Sequence, residues 1–362
     1  MKKILIAAGG TGGHLYPGLA IAQALRAENW RVLFIVRQED PARKVLDAED
    51  FPYVEIPMKG MPRGPQGWFS FLIRLFSSFK LCLNIVSDFK PEVVIGMGGY
   101  LSAPAILAAL IKRRPRFIHE SNVILGLSNR FCQFLGAKLL RGLPGPEGEL
   151  IGTPIRQSLW EPRDLTVSKK NLGFDPQKPV LLIFGGSQGA RGINLQIPAA
   201  IKDLSIRYPH RLQIIHICGQ DSKAVEKNYE DQPLKARVFP YFEKMEELYG
   251  AADLVSCRAG GSTLSELCAQ KKPALLIPYP SATHDHQTEN ARVLEKAGCA
   301  VMVPENEIQQ KIPTLLESML LEKLNQERLA LMKDAYQHLN MPTPSQTMER
   351  LLSKIKNLAP SK

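Results

Sequence analysis

Lys3-Ile4-Leu5-Ile6-Ala7-Ala8-Gly9-Gly10-Thr11-Gly12-Gly13-His14 opens the chain, and Pro179-Val180-Leu181-Leu182-Ile183-Phe184-Gly185-Gly186-Ser187-Gln188-Gly189-Ala190 repeats its pattern in the second half. Each begins with a short apolar run without polar alternation, which reads as a strand buried on both faces. A glycine cluster and then a helical pattern follow. Strand, glycine turn and helix in that order begin a doubly wound α/β domain. Written twice, they predict an α/β protein of two Rossmann-like domains facing across a cleft. Glycine turns let backbone N–H groups approach charged ligand atoms closely. Two domains, each able to hold its own substrate, point to a transfer reaction.

The rest of the chain fits that scheme. Its 362 residues suit two domains of roughly 150–200 residues each. Strand candidates Lys3–Ala8, Arg31–Arg37, Tyr53–Ile56, Glu92–Gly96 and Arg116–His119 alternate with helical stretches in the first half. Val180–Gly185, Leu212–Ile217, Ala236–Phe239, Leu254–Cys257, Ala274–Pro278 and Ala300–Val303 do so in the second, with helices around Ile193–Leu204, Lys244–Gly250, Thr263–Gln270 and His286–Ala297. This βαβα order implies parallel sheets. A turn-rich middle places the linker near Gln157–Pro162, giving domains 1–157 and 158–340, with a terminal helix over 341–362 packing back on the first.

The formal net charge of +11 is uneven. Met1 to Gln157 hold 20 Lys and Arg against 12 Asp and Glu, a surplus of 8, while Ser158 to Lys362 hold 26 against 23, a surplus of 3. A basic first half suits a phosphorylated substrate or an anionic membrane surface. Nucleic acid is disfavoured, because no basic run with interleaved aromatics, zinc finger or RNA-binding signature is present. Six scattered cysteines without a C-x-x-C pair read as reduced core residues of a cytosolic protein, and a chain that enters a strand at once predicts no secretory signal.

Trp68 to Val86 is densely apolar, yet at 100° per residue Ser70, Arg74, Ser77, Ser78 and Asn84 gather on one face. Arg74 and Lys80 near its middle disfavour a transmembrane span. It reads either as a core helix or as an interfacial patch, with Trp68, Phe69, Phe71 and Phe76 entering lipid while Arg63, Arg74 and Lys80 meet anionic headgroups.

Chemistry concentrates at the turns. Neither glycine cluster completes the G-x-G-x-x-G dinucleotide fingerprint, and no G-K-[ST] makes a phosphate loop. His14 ends the first turn, as a packing residue or as a general base facing the cleft. Gly260-Gly261-Ser262-Thr263 opens a helix whose N-terminus suits a diphosphate. Thr263 with Glu266 forms a capping box, or Glu266 accepts hydrogen bonds from a ribose diol. His284 and His286 offer a metal pair without a third ligand; Gln287 and Asn290, three apart on one face, suit sugar hydroxyls.

Gly9–His14, Gly98-Gly-Tyr-Leu-Ser102, His119-Glu-Ser-Asn122, Gly185–Arg191 and Cys257–Glu266 together resemble the MurG family over essentially the entire chain. These are peripheral membrane glycosyltransferases that add N-acetylglucosamine to lipid I, making lipid II for peptidoglycan. The resemblance implies a glycosyltransferase B fold, an inverting mechanism and no cofactor, with a divalent ion accessory at most. It puts UDP-N-acetylglucosamine against the second domain: Glu266 on the ribose, Phe242, Tyr241 and Met245 around the uracil, and His286 and Gln287 on the sugar. Ser187, Gln188, Gly261, Ser262, Thr263 and Arg156 surround the diphosphate. Thr11, Gly12, Gly13 and Asn122 reach the donor from the first domain. Thr11, His14, Tyr100, Glu120, Asn122 and Asn129 line the acceptor side, with His14 as base and Glu120 in reserve. The Trp68–Val86 stretch docks on anionic phospholipid at the cytoplasmic face of the inner membrane, where other cell-wall synthesis proteins are expected partners. The chain departs from the family's usual pattern at Ser121, where Gln is common, and at Thr153, where Asn is common. Rival readings are an isomerase of the UDP-N-acetylglucosamine 2-epimerase kind and a nucleotide-sugar-binding accessory subunit.

Overall fold

The computed structural model describes residues 1–60, 64–186, 190–282, 285–322 and 325–358. The chain divides into two compact units, Met1–Gln157 with Met341–Lys362, and Ser158–Asn340.

In the first unit the strands are β1 (Lys3–Ala7), β2 (Arg31–Arg37), β3 (Tyr53–Ile56), β4 (Val93–Gly96), β5 (Arg116–Glu120), β6 (Lys138–Arg141) and β7 (Glu149–Leu150). They form one sheet in the order β3-β2-β1-β4-β5-β6-β7, parallel throughout. Its helices are α1 (Gly12–Ala27), α2 (Ala42–Ala48), α3 (Trp68–Phe89), α4 (Ser102–Ile111) and α5 (Leu127–Phe134). Ile4, Leu5, Ile6 and Ala7 are wholly buried, as expected of a strand covered by helices on both faces.

The second unit contains α6 (Leu165–Asn171), β8 (Val180–Phe184), α7 (Arg191–Ala200), α8 (Lys202–Arg207), β9 (Gln213–Ile217), α9 (Ser222–Glu230), β10 (Lys235–Phe239), α10 (Met245–Ala251) and β11 (Leu254–Cys257). It continues with α11 (Gly261–Gln270), β12 (Ala274–Leu276), α12 (His286–Lys296), β13 (Ala300–Met302), α13 (Ile308–Leu316) and α14 (Asn325–Ala335). The sheet order is β10-β9-β8-β11-β12-β13, again parallel. The last helix, α15 (Pro344–Leu358), belongs to the first unit. Its Lys356 pairs with Glu28 at 2.6 Å and its Lys354 with Glu149 at 2.7 Å.

Both sheets reverse strand order beside their first strand. In register, Ile4 to Ala7 face Val93 to Gly96, and Leu181 to Phe184 face Leu254 to Cys257. Connections leaving these neighbouring strands part to opposite faces, and open a crevice at the carboxyl ends where such sheets bind ligands. The glycine-rich turns after β1, β4, β8 and β11 all lie at these two points.

Three readings are corrected. The sequence reading does not expect β6 or β7; Lys138-Leu-Leu-Arg141 carries a charge at each end and Glu149-Leu150 spans two residues, and both join the sheet by pairing. The single helix expected over Ile193–Leu204 is two, α7 and α8, which meet at Ile201. In α3, Phe71 does not face out: it is buried with Cys82 and Val86 and stacks edge-on against Trp68 at 5.6 Å. Ser78, expected on a polar face, is wholly buried beside them. At 100° per residue these four residues share the side packed on α4, while Phe69, Leu72, Ile73, Phe76 and Lys80 share the opposite, exposed side. Trp68 is partly exposed, Arg74 flanks the stripe, and Arg63 lies outside the described residues. By length and composition α3 could cross a membrane.

Candidate functional site

In the first unit the site grows from the turn after β1. Gly10 takes φ +82°, which glycine adopts without strain, and its N–H donates to Asp40 Oδ2 at 2.7 Å. Helix α1 then begins with Thr11 as its N-cap residue. His14 lies within the first turn, its Nδ1 3.4 Å from Thr11 Oγ1. Its ring stands over the turn after β4: a Cβ at Gly98 would come to 3.0 Å of His14 Nε2, and Gly98 has φ +99°. Ser102 Oγ holds that turn by accepting from the Gly98 N–H at 3.1 Å and donating to its carbonyl at 3.0 Å. Burial pushes the His14 imidazole below its ordinary pKa of 6.5, opposed by the charge of Glu120 and a hydrogen bond to the Gly9 backbone. The ring is therefore neutral at pH 7, as a proton acceptor must be.

Glu120, at the end of β5, is almost fully buried. Its Oε1 accepts from Asn122 N–H at 3.0 Å and Nδ2 at 2.9 Å, and its Oε2 from Gly126 N–H and Asn129 Nδ2, both at 3.0 Å. A carboxylate so engaged organises a loop, which corrects its reading as a reserve base. Asn129 is corrected likewise: it is 2% exposed and gives its amide to Glu120 and the His119 carbonyl, so it reaches a ligand only through them. Behind the loop lies Arg141, 2% exposed, donating to the carbonyls of Leu143 at 3.1 Å, Asn122 at 3.2 Å, and Val123. Tyr100 stands partly exposed after β4. Ser121 and Thr153 are both buried, and they meet at Gly142, where a Cβ would fall 2.0 Å from Thr153 Oγ1 and 3.0 Å from Ser121 Cα. Arg156 also belongs to this unit, its guanidinium 4.9 Å from the centre of the Tyr16 ring.

The second unit builds differently at the same topological point. After β11, α11 starts at Gly261 with Gly260 as its N-cap residue. Thr263 is thus the third residue of the helix, and the capping-box reading, which needs it at the N-cap, falls away. The first N–H groups of a ten-residue helix and its positive dipole end lie beside the half-buried hydroxyls of Ser262 and Thr263. Glu266 is half-buried, with Oε2 accepting from Tyr249 OH at 2.9 Å. Tyr249 is wholly buried and fixed edge-on to Phe184, the last residue of β8, at 6.1 Å.

Phe242 stacks edge-on against Phe239 at 4.9 Å, beside exposed Tyr241, and half-buried Met245 opens α10. His286 and Gln287 begin α12, where Gln287 Oε1 accepts from the Tyr279 N–H at 2.9 Å. Asn290 is wholly buried and donates to the Ala259 carbonyl at 2.9 Å, which withdraws it from the expected sugar contacts. Arg258 braces the same turn from below, donating to the carbonyls of Ile277 at 3.2 Å and Pro278 at 3.0 Å and pairing with Glu305. Ser187, Gln188 and His284 lie outside the described residues.

Residues 4–139 match the glycosyltransferase family 28 N-terminal domain and residues 180–343 the family's C-terminal domain. A protein of Elusimicrobium minutum named UDP-N-acetylglucosamine–N-acetylmuramyl-(pentapeptide) pyrophosphoryl-undecaprenol N-acetylglucosamine transferase is 37% identical over 99% of this chain and 100% of its own. The chain belongs to glycosyltransferase family 28. A relative of the same name from Syntrophus aciditrophicus is 39% identical over 85% of this chain and 87% of its own. Among solved structures, MurG of Acinetobacter baumannii superposes with a TM-score of 0.74 at 28% identity, covering 98% of this chain and 100% of that one. The calicheamicin glycosyltransferase CalG4, at 13% identity and a TM-score of 0.66, shares the fold, covering 99% of this chain and 100% of its own. The two doubly wound units are those of the glycosyltransferase B fold.

In this family 28 chain, the structure brings Thr11, Gly12, Gly13, His14, Tyr100, Glu120, Asn122 and Asn129 to one edge of the first sheet. Gly261, Ser262, Thr263, Glu266, Phe242, Met245, His286 and Gln287 follow the carboxyl ends of strands in the second. Sequence reasoning missed Asp40, Arg141, Tyr249 and Arg258, which touch the functional turns from behind. A charge inside an otherwise apolar stretch was the signal for Arg141, and Arg258 lay within the Cys257–Glu266 motif without being assigned a role.

Proposed function

We propose that this glycosyltransferase moves N-acetylglucosamine from UDP-N-acetylglucosamine to the muramyl 4-hydroxyl of lipid I, forming the β-1,4 bond of lipid II in peptidoglycan synthesis. The observation that carries the reading is the unlike equipment of two like turns: a neutral, buried-edge imidazole at the first, and an open helix N-terminus with hydroxyls and a carboxylate at the second. The near-full-length kinship to proteins named for that reaction supports it.

The 4-hydroxyl oxygen attacks the anomeric carbon from the face opposite the diphosphate. The carbon–oxygen bond to UDP breaks as the new one forms, inverting the centre, and the hydroxyl proton passes to His14. Charge that develops on the leaving diphosphate is met by the N–H groups opening α11 and the hydroxyls of Ser262 and Thr263. Glu266, oriented by Tyr249, accepts the ribose hydroxyls, while Phe242 and Met245 flank the base and His286 and Gln287 the sugar. Glu120, braced by Asn129, holds Asn122 and acts on His14 through its charge rather than touching the reacting atoms. We assign no metal to the chemical step, so a chelator should leave most of the rate.

The exposed stripe of α3, with Trp68, Phe69, Phe76, Arg74 and Lys80, is proposed to rest on anionic phospholipid at the cytoplasmic face of the inner membrane, where other cell-wall synthesis proteins would meet it. Exposed Leu127, Phe131 and Phe134 of α5, which also packs on α4, add to this apolar surface.

The deciding experiment mixes the purified chain with UDP-N-acetylglucosamine and a short-chain lipid I analogue and follows UDP release. Release only with acceptor is expected. Donor consumption without acceptor would establish an isomerase or hydrolase instead, and no turnover a binding subunit.

A further inference from the structure

The first glycine turn is held by a carboxylate from another loop. Asp40 follows β2, three residues after Arg37 ends the strand, and its side chain is turned inward, 3% exposed. Oδ1 accepts from the Ala42 N–H at 3.0 Å, at the start of α2. Oδ2 accepts from the Gly10 N–H at 2.7 Å and stands 3.3 Å from Arg37 Nε. The two glycines serve different ends. Gly10 has φ +82° and meets nothing nearby, so glycine there serves conformation. At Gly9 it serves space: a Cβ would fall 2.6 Å from Asp40 Oδ2 and 3.1 Å from Leu101 Cδ1. Any side chain at position 9 would drive the carboxylate from its seat.

The N–H of Gly10 and the C=O of Gly9 are two ends of one planar peptide unit. The His14 ring hydrogen-bonds to the Gly9 backbone in the sense that favours the protonated ring. A backbone acceptor does that, so the Gly9 carbonyl receives a ring N–H. Carboxylate, peptide and imidazole therefore form one chain of hydrogen bonds, in which each bond polarises the next. The ring is further lodged between Thr11 Oγ1, 3.4 Å from its Nδ1, and the backbone of Gly98. Around it, Glu120 acts directly through its charge, and burial keeps neighbouring His119 neutral at pH 7. Asp40 reaches the ring through the peptide.

We propose that Asp40 is a positioning residue for the proton-accepting step: by fixing the Gly9–Gly10 peptide it orients the His14 ring and keeps the proton on the nitrogen that faces Gly9, leaving the other nitrogen bare for the acceptor hydroxyl. A neutral imidazole accepts a proton only at its bare nitrogen, and the hydrogen bond made by the other nitrogen decides which one that is. Asp40 itself touches no reacting atom. The inference rests on the reading of His14 as the base, and it makes the loop after β2 part of the acceptor half of the site.

The test reads the ring as well as the rate. Ring-nitrogen NMR of the full chain carrying isotope-labelled histidine, with His14 assigned by the signals lost in His14→Gln, should show a single tautomer at pH 7. Asp40→Asn keeps the shape and removes the charge; a neutral amide oxygen accepts about half as strongly. It should move the two His14 nitrogens toward a mixed-tautomer average and lower kcat about three- to tenfold, with little change in KM for UDP-N-acetylglucosamine. Gly9→Ala keeps the charge and displaces the carboxylate, and should do the same. The ring of His119, bonded to the Gly152 carbonyl in the same unit, should keep its signals in both variants, as a folded first unit requires. Glu39→Gln, which removes a charge from an exposed position of the same loop, should leave ring and rate at their wild-type values. Unmoved His14 signals in Asp40→Asn, a loss of rate that Glu39→Gln shares, or moved signals at an unaltered rate while His14→Ala is inactive would each overturn the proposal. A full rate in His14→Ala would instead sink the base reading and the catalytic half of the proposal with it, and the ring signals would then decide separately whether Asp40 sets the ring.

Discussion

After β4 the first unit sets Gly98 and Gly99 beneath the His14 ring, whereas after β11 the second unit sets Gly260 and Gly261 at the head of α11. The two turns occupy equivalent places, beside the strand at which each sheet reverses. In the first, glycine makes room for a side chain, and the polar groups around it are buried and engaged: Asn129 donates to Glu120 and to the His119 carbonyl, and Arg141 holds the carbonyls of the loop behind them. In the second, glycine exposes the backbone, and the buried groups behind it, Tyr249, Arg258 and Asn290, aim the turn from outside. On the proposed reading, one topology yields a site that handles a proton and a site that handles charge. Which it becomes depends on the few residues at the crevice and those that brace them.

The largest effect should come from removing the side chain the first turn is built around. His14→Ala is predicted to lower kcat by about 10²–10⁴ while barely changing affinity for UDP; an unaltered rate would remove it from the mechanism. Glu266→Ala should do the reverse, weakening UDP by about 10–100-fold through lost charge-assisted hydrogen bonds of about 1.5–3 kcal/mol each, with little change in kcat at saturating donor. If both variants lost kcat alone, the division of labour between the turns would be wrong. The acid limb of the kcat profile should lie below pH 6.5, because the base works only when deprotonated and burial lowers the His14 pKa. Glu120→Gln removes a charge that raises it, so the limb should move to lower pH, a shift that a purely structural role for Glu120 would not produce.

Much of the fold could be read from the strands, because buried parallel strands announce themselves as short apolar runs ended by glycine. Reading faltered where structure depends on partners distant along the chain. Nothing local marks Asp40 as the acceptor for Gly10, or Tyr249 as the donor to Glu266. The Thr263–Glu266 ambiguity is resolved only by where α11 starts, and the start is decided by Gly260 taking an extended conformation after β11. Phe71 was misplaced because α3 is apolar on both sides, so composition could not say which side meets α4. Exposed aromatics on a helix whose opposite face is core should be separable by experiment: Phe69→Ser with Phe76→Ser is predicted to cut sedimentation with phosphatidylglycerol vesicles several-fold and leave stability nearly unchanged. An equal loss of stability would place the stripe in the core instead.

The smallest effect at neutral pH belongs to a histidine the second unit buries far from its turn. His216 on β9 is wholly buried, with Nδ1 3.0 Å from Tyr229 OH and Nε2 3.2 Å from Asn194 Oδ1. Burial holds its pKa down at about 3, so above pH 6.5 it is neutral in both folded and unfolded chains and contributes no pH dependence. Below that, the unfolded chain takes up a proton that the native site refuses, and stability falls by about 1.4 kcal/mol for each further pH unit until the native pKa is reached. At pH 5 the cost is about 2 kcal/mol. Hydrogen exchange of the β8 and β9 amides, which open when this sheet unfolds, should report that loss in the wild type between pH 7 and pH 5 after correction for intrinsic rates. His216→Gln, which has no proton to take up, should flatten the slope by about the same amount while costing stability at pH 7. In the first unit, His14 and His119 are also held below their ordinary pKa by burial, so β1 and β4 amides should show an acid loss that His216→Gln leaves untouched. A flattening in both sheets would mean that the two units unfold as one, and that the contrast between their turns is drawn within a single cooperative body.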